Sequence, residues 1–135
     1  MSPQGYKEVD HIADLALRVW GEEFYLLLDN SARGLYHLLG ITANDAYPVE
    51  WMFKIEEGSK ECMLVDFLSE VLYLCEDEKC IFTKFQYCRH DSHLEINAKG
   101  YQMVSMKRTI KAVTFHNLEI TETESGLETT ITFDV

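Results

Sequence analysis

The sequence predicts an α+β fold in which two helices pack on one face of a largely antiparallel sheet. Three observations predict it. The first 77 residues hold two stretches of helical periodicity, strand-like stretches dominate after residue 80, and the segments joining those strands carry turn residues rather than a further helix. Neighbours joined by short turns pair antiparallel, because a parallel connection needs a long crossover.

Tyr6 to Val9 and Leu15 to Trp20 read as extended runs. In the second, Leu15, Leu17 and Val19 alternate with Ala16, Arg18 and Trp20, the period of a half-buried strand. Gly21-Glu22-Glu23-Phe24 opens a helix, with its acidic residues expected in the first turn, where they complement the macrodipole. Phe24, Leu27, Leu28, Ser31, Leu35, Leu38 and Leu39 recur at three- and four-residue spacing, so one stripe faces a core, and Gly40 ends the helix as a cap. Ala32 and Gly34 predict close packing on a neighbour, and His37 reads as a solvated residue near the helix end. Residues 41–48, ending in Tyr47-Pro48, read as a loop, and Val49 to Glu56 as a short strand. Gly58-Ser59 supplies a turn and an N-cap for a second helix, Lys60 to Asp77. Its apolar face, Met63, Leu64, Phe67, Leu68, Val71, Leu72 and Cys75, is broad enough to make it the central packing element, with Asp66, Ser69, Glu70 and Tyr73 opposite. Cys80 to Arg89, Leu94 to Ala98, Arg108 to Thr121 and Leu127 to Val135 read as strands, divided by Asp91-Ser92, Gly100 and Ser125-Gly126.

A chain of 135 residues, 47% hydrophobic with two prolines, is expected to be one folded domain over residues 1–135. Its formal net charge of −11 repels phosphate backbones, which disfavours tight nucleic-acid binding and favours a basic protein or a metal ion as partner. The N-terminal residues lack the basic and apolar regions of a signal peptide, and no apolar run approaches the roughly 20 residues that span a bilayer, so a cytoplasmic or nuclear location is expected. Cys62, Cys75, Cys80 and Cys88 form no Cys-x2-Cys pair and read as small core-filling residues.

The densest polar cluster is Asp10-His11-Ile12-Ala13-Asp14, in the break between the first two extended runs. Counting back from Arg18 puts Asp14 on the face away from the core. In the last strand Leu127, Thr129, Ile131, Phe133 and Val135 share one face, which leaves Asp134 on the other. If the first and last strands are neighbours, Asp14, Asp134 and the carboxylate of Val135 converge, an arrangement that repels itself unless a cation sits among them. Hard oxygen donors suit Ca²⁺ or Mg²⁺, with Asp10, His11 and Asp66 as outer members, although scattered aspartates are usually solvated. His116 falls in phase with Ile110, Ala112, Leu118 and Ile120 and reads as a hydrogen-bonded core histidine unless Asn117 carries a bulge. Lys111 falls on the opposite face, either beside the acidic cluster, reaching a phosphate-bearing partner, or as an ordinary surface lysine. No nucleophile motif, phosphate loop or zinc-protease motif is present. A small metal-dependent phosphohydrolase or nuclease and an acidic, chaperone-like interaction protein are the readings that the bare residues leave open.

Four separated motifs carry a resemblance. They are Tyr6-Lys7-Glu8-Val9 running into Asp10-His11-Ile12-Ala13-Asp14, the stretch from Leu64 to Leu74, the stretch from Ile110 to Ile120, and Phe133-Asp134-Val135. In that order they resemble the archease family, departing from its usual pattern at Ile12 and at Phe115-His116-Asn117. The resemblance implies a non-catalytic protein cofactor of the tRNA-splicing RNA ligase, one that promotes guanylylation of the ligase and its multiple turnover. It also implies a divalent cation, calcium or magnesium, held by Asp14, Asp134 and Val135. Asp10, His11, Asp66, Lys111 and His116 would then be outer or partner contacts.

Overall fold

The computed structural model describes residues 4–9 and 14–135. Ten elements follow in order: β1 (Tyr6–Val9), β2 (Leu15–Gly21), α1 (Phe24–Leu39), β3 (Thr42–Glu56), α2 (Lys60–Glu76), β4 (Cys80–Arg89), β5 (His93–Ser105), β6 (Ala112–Thr114), β7 (Thr121–Thr123) and β8 (Gly126–Asp134). All strand pairs are antiparallel and both helices are where the periodicity puts them. The single expected sheet, however, is two. One runs β1-β2-β8-β6 with β7 also on β8, and the other runs β3-β5-β4.

The backbone amides of Lys107 and Arg108 account for that division. Both donate to the carbonyl of Leu39, at 2.8 and 3.2 Å, satisfying an acceptor that the end of α1 would otherwise leave open. The chain leaving β5 is thereby held at the end of α1 and enters the other sheet only at β6. Gly40 sits beside this junction with φ 64° and ψ 50°, the left-handed conformation in which a glycine cap carries no Cβ penalty.

Helix starts follow side-chain chemistry closely. Glu23 lies before the first turn of α1, where it acts as the cap, its carboxylate accepting from the amides of Tyr25 and Leu26 at 2.9 and 2.7 Å. Ser59 Oγ accepts from the Cys62 amide at the start of α2. The strand expectations needed more correction. Residues 42–48 belong to β3, whose register slips between Asn44 and Pro48, so the anticipated loop is an irregular strand. Gly100 is no turn: it lies inside β5 opposite a register shift in β4, where an added Cβ would overlap the Ile81 carbonyl and stand 2.6 Å from Phe82 Cα.

Both helices touch strands of both sheets, and a single hydrophobic cluster contains residues of all of them. This explains the broad apolar face of α2, on which Val65 and Leu74 are buried as well as the expected stripe. Two of the cysteines, Cys75 and Cys80, are buried, and burial pushes the Cys75 thiol up to about 11. Cys62 and Cys88 are exposed, contrary to their expected core role. Among the described residues no helix is long and apolar enough to cross a membrane.

A part-buried polar contact ties α1 to the second sheet: Tyr87 Oη donates to Asp29 Oδ1 at 2.6 Å. Burial raises the Asp29 carboxyl above its ordinary 3.8, against the opposing pull of the Tyr87 hydroxyl. A raised carboxyl destabilises the fold as it ionises, so this group's contribution is most favourable below 3.8 and declines as pH rises through the folded-state value. Urea unfolding of Tyr87→Phe at neutral pH should show a loss of about 1–3 kcal/mol, because the carboxylate is left unpaired. Asp29→Asn keeps an acceptor for the phenol, and its unfolding midpoint should lack the decline that the wild type shows above pH 3.8.

Candidate functional site

The first sheet ends, on one side, in three places at once. β2 begins immediately after Asp14, β8 stops at Asp134, and β6 begins immediately after Lys111. The β2–β8 register pairs Leu15 with Phe133, so the next step outward sets Asp14 against Asp134. On the other flank of β8, Ala112 pairs with Asp134 and the Lys111 amide donates to the Asp134 carbonyl at 2.8 Å. Asp134 is therefore fixed through its backbone on the β6 flank.

Alternation settles the face. Leu17, Val19, Leu127, Ile131 and Phe133 are buried, whereas Arg18 and Glu128 form a 2.9 Å ion pair on the opposite side of the sheet. Asp14 and Asp134 are in phase with that pair. Asp14 is half-buried, Asp134 is exposed, and neither has an ion-pair partner among the described residues. Val135, counted with the core face in the sequence, lies past the last pairing and is exposed. Asp14 and Asp134, next to the ends of adjoining strands, offer an oxygen-only, open donor set. Such a set fits a hydrated hard cation such as Ca²⁺ or Mg²⁺ better than zinc.

The other candidates divide. Asp10 and His11 lie outside the described residues. Asp66 is on the exposed side of α2, with no hydrogen bond or ion pair to Asp14 or Asp134. Lys111 is exposed at the same end of the sheet, but the strand phase assigned to it is corrected: Val113 is the buried residue of β6 and Ala112 the exposed one. His116 is corrected too, since it is exposed and not a core histidine. The chain turns there, with Asn117 at φ 56° and the Leu118 amide donating to the Phe115 carbonyl at 3.0 Å, so the alternation that would have carried His116 inward is broken. Sequence reading passed over Glu76, whose carboxylate faces the Ile110 amide just before Lys111 and is raised chiefly by burial.

A sequence profile described as the Archease protein family (MTH1598/TM1083) matches residues 6–135. The chain belongs to the archease family. Protein archease of Methanosarcina barkeri is 29% identical, and that of Methanosarcina mazei is also 29% identical, each alignment covering all of both chains. Two solved structures share the fold. The solution structure of protein 1598 of Methanobacterium thermoautotrophicum matches with TM-score 0.74 and 20% identity over 98% of this chain and 99% of that one. The crystal structure of an archease from Thermotoga maritima, described there as a possible chaperone, matches with TM-score 0.70 and 24% identity over 96% of each. In this archease Asp14, the segment from Ile110 and the closing Phe133-Asp134-Val135 arrive at one end of one sheet, although they are far apart in sequence.

Like charges directly opposite on paired strands destabilise a sheet. In buffer containing a chelator, Asp14→Asn should therefore raise the unfolding free energy by about 0.2–1 kcal/mol. Unchanged or lower stability, read from denaturant midpoints, would contradict the adjacency of the two carboxylates.

Proposed function

We propose that this archease acts as a protein cofactor of the tRNA-splicing RNA ligase, promoting ligase guanylylation and repeated turnover, and that it has no turnover of its own. The observation that supports the reading is the β2–β8 register, whose last pair, Leu15 with Phe133, directly adjoins Asp14 and Asp134 at one end of the sheet. In the proposal Asp14, Asp134 and the carboxylate of Val135 hold a divalent cation. When bound, that cation supplies charge neutralisation and Lewis acidity toward a triphosphate.

The chain's own residues then have two tasks. Pairing with β6 holds the Asp134 backbone, so that this donor starts from a fixed position before any partner arrives. The surface charge of −11 favours approach to a cationic nucleotide- and RNA-binding groove, with exposed Lys111 at the same end as a phosphate contact.

Purified ligase incubated with GTP should be guanylylated faster in the presence of this protein. Asp14→Ala and Asp134→Ala should each remove at least about tenfold of that stimulation while leaving the circular dichroism spectrum intact. Normal stimulation by both variants excludes the metal role. Product from nucleotide or RNA substrates without ligase would instead indicate a phosphohydrolase. Suppression of aggregation in unrelated proteins, insensitive to both substitutions, would favour the chaperone reading attached to the Thermotoga protein.

A further inference from the structure

We propose a second, chemically distinct metal site on the other sheet, formed by Cys88, His90 and Glu95 and suited to a borderline-soft divalent ion of the zinc type. β4 and β5 are joined through a tight turn at Asp91-Ser92, with Arg89 paired to Leu94 and the His90 amide donating to the His93 carbonyl at 2.9 Å. One step down the ladder, Cys88 is directly opposite Glu95. Leu94 and Ile96 point into the core, so Glu95 and His93 lie on the opposite face of β5, and Cys88 lies beside Glu95 on the same face.

The ligand atoms of Cys88, His90 and Glu95 are all within 4.8 Å of one another, with His90 Nε2 3.9 Å from Glu95 Oε2. Donors bound tetrahedrally to zinc at bond lengths of about 2.0–2.3 Å are about 3.5 Å apart. Side-chain adjustments of about 1 Å therefore close the set. The imidazole of His93 stacks on that of His90, with ring centroids 4.7 Å apart, which puts a fourth donor on the same patch. Sulfur, nitrogen and oxygen donors together match zinc, whereas the oxygen-only pair at Asp14 and Asp134 suits a hard ion.

The scaffold beneath the cluster is braced. The Glu57 amide donates to the Ser92 carbonyl at 3.1 Å, and the Glu57 carboxylate pairs with Arg89 Nε at 2.9 Å. The turn is thus held against the end of β3, and the donors project from paired strands and not from a loose loop. Binding converts the Cys88 thiol to a thiolate and releases its proton to solvent.

Cobalt(II) is the probe, because a thiolate ligand gives a sulfur-to-cobalt charge-transfer absorption. The full-length protein titrated with cobalt should develop that absorption at one equivalent and lose it on addition of zinc. Cys88→Ser should abolish it, Cys62→Ser should retain it, and His90→Ala and Glu95→Gln should each weaken zinc binding by more than about tenfold. The Asp14→Asn, Asp134→Asn double variant should bind zinc as the wild type does, which separates this site from the carboxylate pair. Absence of the absorption in the wild type, or its survival in Cys88→Ser, would overturn the proposal.

Discussion

Antiparallel pairing of β2 with β8 is the constraint on which the rest of the molecule depends. It joins the beginning of the chain to its end through seven matched residues, from Leu15 with Phe133 to Gly21 with Leu127. Closing so long a loop costs conformational entropy before the contact rewards it. The reward is the burial of Leu17, Val19, Leu127, Ile131 and Phe133 against the helices. Because side chains alternate with period two, a slip of one residue would expose that whole set. The same register that protects the core therefore also fixes which acidic residue meets which at the sheet's end. Core packing therefore brings Asp14 and Asp134 to the same end of the sheet, with no attraction between the two carboxylates required.

The helices mediate between the two sheets. α1 contacts β1, β2 and β8 on one side and β4 on the other, and α2 contacts β6 on one side and β3 and β4 on the other. Polar groups mark where this contact is specific. Asn30 Nδ2 donates to the Trp20 carbonyl at 2.7 Å, Tyr36 Oη accepts from the Phe82 amide at 3.0 Å, and Tyr87 reaches Asp29. Each is made by a side chain whose only alternative is an unpaired buried group, so each penalises any sliding of helix against sheet.

Much of this was legible in the sequence, and the gaps have physical causes. Periodicity located both helices, the face of β2 and the face of β8, because each of those segments is regular and half-buried. It failed where backbone hydrogen bonds outside the ladder redirect the chain. Nothing in the composition of residues 106–111 announces that Leu39 will capture two of their amides, and without that capture the two sheets read as one. The stretch from Arg108 to Thr121 looks like a long strand because its residues favour one, yet it pairs only from Ala112 and a turn at His116-Asn117 divides it, so the alternation counted from Ile110 does not carry through and Val113, not Ala112, is buried. Gly100 was misread for a related reason. A glycine is equally at home in a turn and under another backbone, and only the pairing partner distinguishes the two.

The two candidate cation sites show what single-sequence reading can and cannot recover. Each strand's own alternation assigns Asp14 and Asp134 a face, so their candidacy rests only on the strands that carry them being neighbours. Cys88 and His90 are two apart, His93 and Glu95 are two apart, and Asp91-Ser92 between them is a turn, so the spacing that puts all four on one face of a hairpin was present as well. Metal motifs are usually sought within one segment, as Cys-x2-Cys or His-x3-His, whereas the proposed donors Cys88, His90 and Glu95 come from both halves of a hairpin that the ladder brings together. The donor types then divide the labour between the sheets. Oxygen donors suit a hard cation, whereas thiol and imidazole suit a softer one, so the two proposed sites differ in the ion they prefer. In these proposals a difference of that kind needs no elaborate cage, only that the strand registers keep sulfur and nitrogen donors on one sheet and the carboxylates on the other.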